Sequence, residues 1–186
     1  MLLNKIGIDE AGRGAIIGPL IIGIVETDKE LSVDKDSKEL TPNQREKLFD
    51  YISKNSLTSY IEISVQEIER YSINEIEYKK ILDFIQGKSA IIYIDAFTHP
   101  SKFAKFKNII AEYKADKKYS IVKAASIIAK VIRDRKIEEI KQQTGIDFGS
   151  GYSSDPRTLN AIREHYKILQ PYIRHKWSTL TKLWRL

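Results

Sequence analysis

The stretch that decides the fold is KIGIDEAGRGAIIGPL, residues 5–20. Its apolar first half ends in two adjacent acids, Asp9 and Glu10, and a glycine-rich turn precedes the apolar run GPLIIGIVE. Short apolar runs separated by glycine predict strands, and TSYIEISV at 58–65 alternates with the two-residue period of a half-buried strand. We therefore predict that the chain opens with a three-stranded meander.

Helical and strand-like patterns alternate through the rest of the chain. Capping boxes predict two helices, one capped by Thr41 and the other capped by Ser72 and ending near Gly87. The longest helical pattern, SIVKAASIIAKVIRDRKIEEIKQQTG, ends at Gly145, and HPSKFAKFKN predicts a short helix. The run SAIIYIDAF is apolar throughout, as in a buried strand of a parallel sheet, and IIAEYKAD predicts a further strand.

A final helical region follows the loop DFGSGYSSDP, with Asp155 as its cap and Pro156 at its first position. Alternating strands and helices predict an α/β layer fold with a mixed sheet. The chain has 186 residues and no repeat or low-complexity linker, which favours one domain over 1–186. It has no cysteine, which excludes disulfides and thiolate metal sites, and its apolar runs are too short for a membrane span. We expect a soluble protein in the cytoplasm.

Charge is divided unevenly between the two halves of the chain. Residues 1–95 carry 12 Lys and Arg against 17 Asp and Glu, whereas residues 96–186 carry 19 against 8. A basic surface attracts polyanions, since each cation near a phosphate releases a counterion. A solvated surface in a lysine-rich protein would show the same bias, so charge alone leaves both interpretations open.

Four acids follow predicted strands: Asp9 and Glu10 after KIGI, Asp95 after AIIYI, and Asp116 after IIAEYKA. Open α/β sheets bind ligands at the carboxyl ends of their strands, so these side chains converge if the strands are neighbours. Clustered carboxylates repel one another unless a cation neutralises them, and Mg²⁺ prefers oxygen ligands. Two such ions about 3.5 to 4 Å apart promote phosphoryl displacement. The alternative is that each acid only caps a turn.

Other chemistries lack their motifs. The three histidines, His99, His165 and His175, are not spaced as a ligand pair, so zinc is not indicated. The sequence contains neither a GxxxxGK[ST] loop nor a GxSxG elbow, which disfavours a nucleoside triphosphatase and a serine hydrolase.

Six motifs occur in an order that resembles the ribonuclease HII family, the type 2 ribonucleases H, in its archaeal form. They are GIDEAGRG (7–14), DSKELT (36–41), YIDA (93–96), KADKKY (114–119), AASIIAKVIRDR (124–135) and GSGYSSDP (149–156). The resemblance implies an RNase H-like fold with a mixed five-stranded sheet flanked by helices, and a helical C-terminal extension from about 147 to 186. It also implies an endonuclease that hydrolyses the RNA strand of RNA/DNA hybrids and incises 5′ of single ribonucleotides in duplex DNA, leaving 3′-hydroxyl and 5′-phosphate ends.

The resemblance further implies a cofactor and site residues. The cofactor is Mg²⁺ or Mn²⁺, with two ions when substrate is bound, and the catalytic metal-binding acids are Asp9, Glu10, Asp95 and Asp116. The turn of Gly12, Arg13 and Gly14 resembles the family's G-R-G loop, where backbone groups meet the ribose 2′-hydroxyl; the Arg13 side chain itself is a donor fork suited to phosphate or sugar oxygens. Tyr152 resembles the tyrosine that stacks on the next deoxyribose.

Further substrate contacts are predicted from spacing on the long helix. Lys123, Ser126, Lys130 and Asp134 share one face, which places Ser126 and Lys130 as candidates to bind backbone phosphates beside the metals. Lys38 is another phosphate candidate. Asp134 is expected to be structural, paired with an arginine, and the alternative is that it is a fifth acid of the metal site. The alternative for the whole stripe is the solvated side of a helix.

Three functional classes fit these features. The leading one is a ribonuclease of DNA replication and repair, whose partners are RNA/DNA hybrids and ribonucleotide-containing duplexes and not membranes. A junction-resolving nuclease and a non-enzymatic nucleic-acid-binding protein are the alternatives. We expect a monomer, and STLTKLWRL at the C-terminus shows no clear sliding-clamp motif.

Overall fold

The computed structural model describes residues 4–33, 40–178 and 180. Five strands form one sheet in the order β3-β2-β1-β4-β5. The pairs β1–β2 and β2–β3 are antiparallel, whereas β1–β4 and β4–β5 are parallel, which confirms both the opening meander and the mixed sheet. The strands are β1 Lys5–Ala11, β2 Leu20–Thr27, β3 Leu57–Ile63, β4 Ile91–Asp95 and β5 Ile109–Glu112.

Five α-helices accompany the sheet in the described residues. Three of the sequence signals are confirmed: Thr41 forms a full capping box with Gln44, Asp155 caps the last α-helix, and Gly145 ends the longest one at φ 70°. Short 3-10 turns cover Pro100–Phe103, Ala115–Lys117 and Gln170–Tyr172. The helices are α1 Pro42–Asn55, α2 Val65–Arg70, α3 Ile73–Ile85, α4 Ser120–Thr144 and α5 Pro156–Leu169.

Three local features differ from the sequence predictions. Helix α2 was not predicted, although Ser64 and Glu67 form its capping box, because it is short and directly continues an alternating strand. Ser72 precedes α3 without a side-chain capping bond. Asp116 does not extend β5 but lies in a 3-10 turn, because Lys114 adopts a left-handed conformation at φ 60° and redirects the chain.

Helix α4 packs unusually close to the middle of the sheet. A Cβ on Gly7 would overlap the carbonyl of Ile121, and a Cβ on Gly23 would overlap that of Ala125. The helix residues at this contact are small or β-branched, and all are buried: Ile121, Val122, Ala125 and Ala129. The close contact brings one face of α4 to the carboxyl end of β1.

A second contact joins the C-terminal helical region to the loop after β1. Ile16 and Ile17 pack in one buried cluster with Ile162, Leu169 and Ile173. Backbone bridges at Ile17–Ile173 and Ala15–Tyr152 reinforce this contact. None of the helices in the described residues has the length and apolar character needed to cross a bilayer.

Candidate metal centre

Three carboxylates meet at the carboxyl ends of the parallel strands. Oxygens of Asp9, Asp95 and Asp116 lie within 4.8 Å of one another. The parallel register pairs Ile8 with Ile94, so the next residue of each strand is an acid and the two acids are adjacent. The structure thus brings together three of the four predicted acids.

The turn after β5 is fixed directly to this cluster. The amide of Ala115 donates to Oδ1 of Asp95 over 2.9 Å, while Ala115 itself is fully buried. Asp116 follows it and is 5 % exposed. The Asp95 carboxylate of β4 therefore holds the turn that carries the third acid, Asp116.

Glu10 lies beside this cluster rather than within it. Burial, and then the charge of Glu77, raise the pKa of Glu10 to about 8, against a partial opposing effect of Arg13. Asp95 adds to the same upward shift. Glu10 therefore lies close enough to the cluster for the Asp95 charge to raise its pKa.

The pKa of Asp9 is also raised well above its ordinary range. Burial is the largest cause, and repulsion by Glu10 and Asp95 follows. Two hydrogen bonds oppose the shift: the Ser126 hydroxyl donates to the Asp9 carboxylate, and the Glu10 amide donates to its Oδ1 over 2.7 Å. Ser126, predicted as a substrate contact, thus lies against an acid of the cluster.

Gly12, Arg13 and Gly14 form a tight turn beside the cluster, closed by the Ala15 amide donating to the Gly12 carbonyl over 3.2 Å. Gly12 has φ 89°, and a Cβ there would lie 2.8 Å from the carbonyl oxygen of Pro19. Gly14 is exposed, has no positive φ, and has open space around the position of a Cβ. Glycine at position 14 is therefore not required by the fold of the described residues.

The side chain of Arg13 differs from the expectation that it offers a fork to substrate. Its Nη1 donates to Glu77 and its Nη2 donates to Asn74. Its guanidinium carbon also lies 5.4 Å from the ring centre of Phe97, in the geometry of a cation–π contact. The side chain is therefore engaged within the protein.

Sequence reasoning missed Asn74 and Glu77. Glu77 is fully buried on α3, and Ile73 and Ile81 lie four residues to either side of it in the apolar stripe of that helix. A charged residue at a core position requires a partner, so this pattern was the available signal. Its partner lies 64 residues earlier in the sequence, where no helical spacing could reveal it.

Tyr152 lies next to the same turn. Its backbone bridges to Ala15, and the amides of Ile16 and Ile17 donate to the carbonyl of Gly151. The guanidinium of the buried Arg133 lies 4.5 Å from the ring centre of Tyr152. The loop 149–156 and the turn after β1 are therefore adjacent parts of one surface.

Three further residues of the predicted stripe, Lys123, Lys130 and Asp134, lie on α4. Lys130 pairs with Asp134 over 2.7 Å, and Asp134 also reaches Arg45 at 3.6 Å, which confirms the expected pairing with an arginine. Lys123 is half-buried on the same helix. Lys38 lies outside the described residues.

The donor set fits a hard divalent cation. It consists of carboxylate oxygens, and burial together with repulsion disfavours the charged forms of Asp9 and Glu10 in the absence of such an ion. A cation at the cluster would remove that cost. Oxygen ligands suit Mg²⁺ or Mn²⁺.

Comparisons with known proteins agree with this geometry. The model of the family described as Ribonuclease HII matches residues 6–180. A "Ribonuclease HII" from Nanoarchaeum equitans is 50 % identical, covering 92 % of each chain. The crystal structure of the ribonuclease H2 from Pyrococcus horikoshii matches with a TM-score of 0.84 and 42 % identity, covering 97 % of each chain.

A further solved structure shows a relative with a partner. It is the PCNA:RNase HII complex from Archaeoglobus fulgidus, with a TM-score of 0.82 and 37 % identity over 94 % of this chain and 95 % of that one. Residues 181–186 of this chain, which include most of the C-terminal segment in which no clamp motif was evident, lie outside the described residues.

Proposed function

The chain belongs to the ribonuclease HII family, and from this premise we propose that it hydrolyses the RNA strand of RNA/DNA hybrids and incises 5′ of single ribonucleotides in duplex DNA. The observation that carries the proposal is the convergence of Asp9, Asp95 and Asp116 beside the Gly12–Ala15 turn. A nuclease that cuts next to a ribonucleotide needs a metal site and a sugar-binding element side by side. The acid cluster and the turn are these two parts.

In this proposal the acids hold the divalent ions, Mg²⁺ or Mn²⁺. Bound ions supply a water of lowered pKa and neutralise charge that develops on the phosphate. Asp9, Asp95 and Asp116 provide the central oxygens, and Glu10 provides a fourth carboxylate at the rim. Ser126 fixes the orientation of Asp9 through its hydroxyl. The products carry 3′-hydroxyl and 5′-phosphate ends.

Selection of ribose is assigned to the turn after β1. The 2′-hydroxyl both donates and accepts hydrogen bonds, and it is the chemical difference between RNA and DNA at the site. The exposed backbone at Gly14 lies at the tip of the turn with no side chain above it, so a sugar can approach the peptide closely. The backbone of this turn, rather than the Arg13 guanidinium, is the proposed contact.

Tyr152 is the proposed contact for the nucleotide that follows the ribonucleotide. Its backbone bridge to Ala15 places it beside the sugar-reading turn, and Arg133 supports its ring. Stacking of that ring on a deoxyribose would make an RNA-to-DNA junction a preferred substrate. Phosphate contacts from Lys38 and Lys130, and the basic second half of the chain, would add affinity that is independent of sequence.

We propose that this activity serves ribonucleotide removal during DNA replication and repair in the cytoplasm, and that the protein acts as a monomer. We further propose that residues from about 147 onward act as an extension of one catalytic domain. Their packing against Ile16 and Ile17 supports this view.

The test is an incision assay on a labelled duplex that carries one ribonucleotide, with Mg²⁺ or Mn²⁺. The wild type should cut on the 5′ side of the ribonucleotide and leave an all-DNA duplex intact. Asp95→Asn should reduce cutting by at least about 100-fold, since one ligand of the cluster is lost, whereas the exposed Asp50→Asn on α1 should cut normally. Absence of cutting by the wild type would overturn the proposal, and binding without cutting would favour a nucleic-acid-binding protein.

A further inference from the structure

The guanidinium of Arg13 is held on three sides. Glu77 and Asn74 accept hydrogen bonds from its two terminal nitrogens, and the ring of Phe97 covers one of its faces. A planar fork can satisfy two acceptors and a ring at once, which a lysine ammonium cannot do in the same geometry. This set of contacts is specific to arginine.

The two acceptors come from one face of α3. Asn74 and Glu77 are three residues apart, so they are neighbours on the first turns of that helix. Glu77 is fully buried, and its Oε1 has no hydrogen-bond partner among the described residues. A buried carboxylate in this condition is costly unless its charge is paired, so Arg13 and Glu77 fix each other's position.

The backbone of Arg13 is held as well. Its carbonyl accepts from Nη1 of Arg174 over 2.9 Å, and Arg174 also donates from Nε to the carbonyl of Gly18 over 2.9 Å. Arg13 is thus anchored by its side chain on one side and by its carbonyl on the other. The next residue, Gly14, remains exposed at the tip of the turn.

We propose that Asn74 and Glu77 are positioning residues for ribose recognition. They draw the Arg13 side chain inward, and this keeps the backbone at the tip of the Gly12–Ala15 turn facing the substrate beside the metal centre. The inference rests on the proposed function, because it explains how the sugar-reading turn keeps its orientation. It makes Arg13 a structural anchor of the turn and places the specificity contact on the peptide groups next to it.

Asn74→Ala gives the cleanest test, since it removes one acceptor from Arg13 without changing the charge near the metal centre. Duplex binding is measured in the non-cutting Asp95→Asn background, for a duplex with one ribonucleotide and for the same duplex made only of DNA. Asn74→Ala should lower the preference for the ribonucleotide by about three- to tenfold, the effect of one typical hydrogen bond. Affinity for the all-DNA duplex should not change.

A matched control exists where α4 contacts α1. Arg135 pairs with Glu46 and lies 4.5 Å from the ring centre of Phe49, so it makes the same kinds of contact. Arg135→Lys should leave the ribonucleotide preference at the parental value, whereas Arg13→Lys should lower it. An unchanged preference in a folded Asn74→Ala protein, or an equal loss of affinity for both duplexes, would overturn the inference.

Urea unfolding tests the anchor without any nucleic acid. The effects of Asn74→Ala and Arg13→Lys on the unfolding constant should depart from independence by at least about threefold, because the two residues share a contact. Independent effects would overturn the inference whatever the nuclease assay shows. If the parental protein shows no preference for the ribonucleotide, the proposed sugar recognition fails, and this cycle still decides whether the anchor exists.

Discussion

Replacement of Asp9 by asparagine should stabilise the metal-free protein while it weakens metal binding. The Asp9 oxygen lies within 4.8 Å of oxygens of Asp95 and Asp116, and two unit charges at that distance with an effective dielectric constant of 20 repel by about 3.5 kcal/mol. Asparagine has the same shape, and its oxygen can still accept from Ser126. Protonation of part of the cluster reduces the gain, so we expect Asp9→Asn to raise the free energy of unfolding by about 2 to 4 kcal/mol at pH 8 without metal.

Urea unfolding in EDTA measures this effect. The pKa of Asp9 is raised in the folded state, so the folded protein takes up a proton as the pH falls and the repulsion in the wild type decreases. The gain in the free energy of unfolding for Asp9→Asn should therefore shrink to about 2 kcal/mol or less at pH 5.5. The limit is the free energy needed to protonate Asp9, which is set by the difference between this pH and an unfolded pKa near 3.9. Asp50→Asn, an exposed helix position, should change stability by less than about 0.5 kcal/mol. A metal-free Asp9→Asn protein less stable than the wild type at pH 8 would refute the argument.

Three further outcomes follow from the site. The pKa of Glu10 rises from 4.5 to about 8 on folding. The metal-free protein should therefore lose stability as the pH rises between these values, while Mn²⁺ binding tightens. Thermal unfolding with and without Mn²⁺ measures both effects, and a stability that does not change with pH would contradict this. Ser126→Ala removes a hydrogen bond that favours charged Asp9, so calorimetry at pH 7 should find Mn²⁺ binding weaker by about three- to tenfold. Gly14→Ala should have the stability of the wild type but cut a single-ribonucleotide duplex at least about tenfold more slowly. Gly12→Ala should lower the free energy of unfolding in urea by about 1 to 3 kcal/mol, because Gly12 has a positive φ. The opposite pattern would be incompatible with the turn.

The acids of the candidate metal centre could be predicted from the sequence because strand ends can be recognised locally. KIGI and AIIYI are apolar runs that stop at an acid, and the parallel pairing of β1 with β4 then brings Asp9 and Asp95 side by side. Asp116 was assigned correctly as a member of the cluster although its local structure was not, because the left-handed Lys114 has no clear signal in the sequence. The convergence depends on topology, and the local conformation depends on packing.

The anchor of Arg13 shows what local patterns cannot reveal. A glycine-flanked arginine predicts a turn, and the turn is present. The direction of the side chain is decided by Glu77, a buried acid that tertiary contacts bring to it from α3. An acid in an apolar helical stripe indicates that a cation must come to it, but the sequence does not say which of the 31 lysines and arginines will do so.

Helix α4 links the packing of the core to the chemistry of the site. Gly7 and Gly23 allow the helix backbone to contact the sheet directly, in positions where any Cβ would overlap a helix carbonyl. This short distance lets the Ser126 hydroxyl reach the Asp9 carboxylate, whose charge the cluster otherwise opposes. A larger residue at position 7 or 23 would move α4 away from the sheet. This would break the hydrogen bond between Ser126 and Asp9 although no acid had been changed. The two glycines under α4 are therefore as necessary to the metal centre as to the core, because the same close contact serves both.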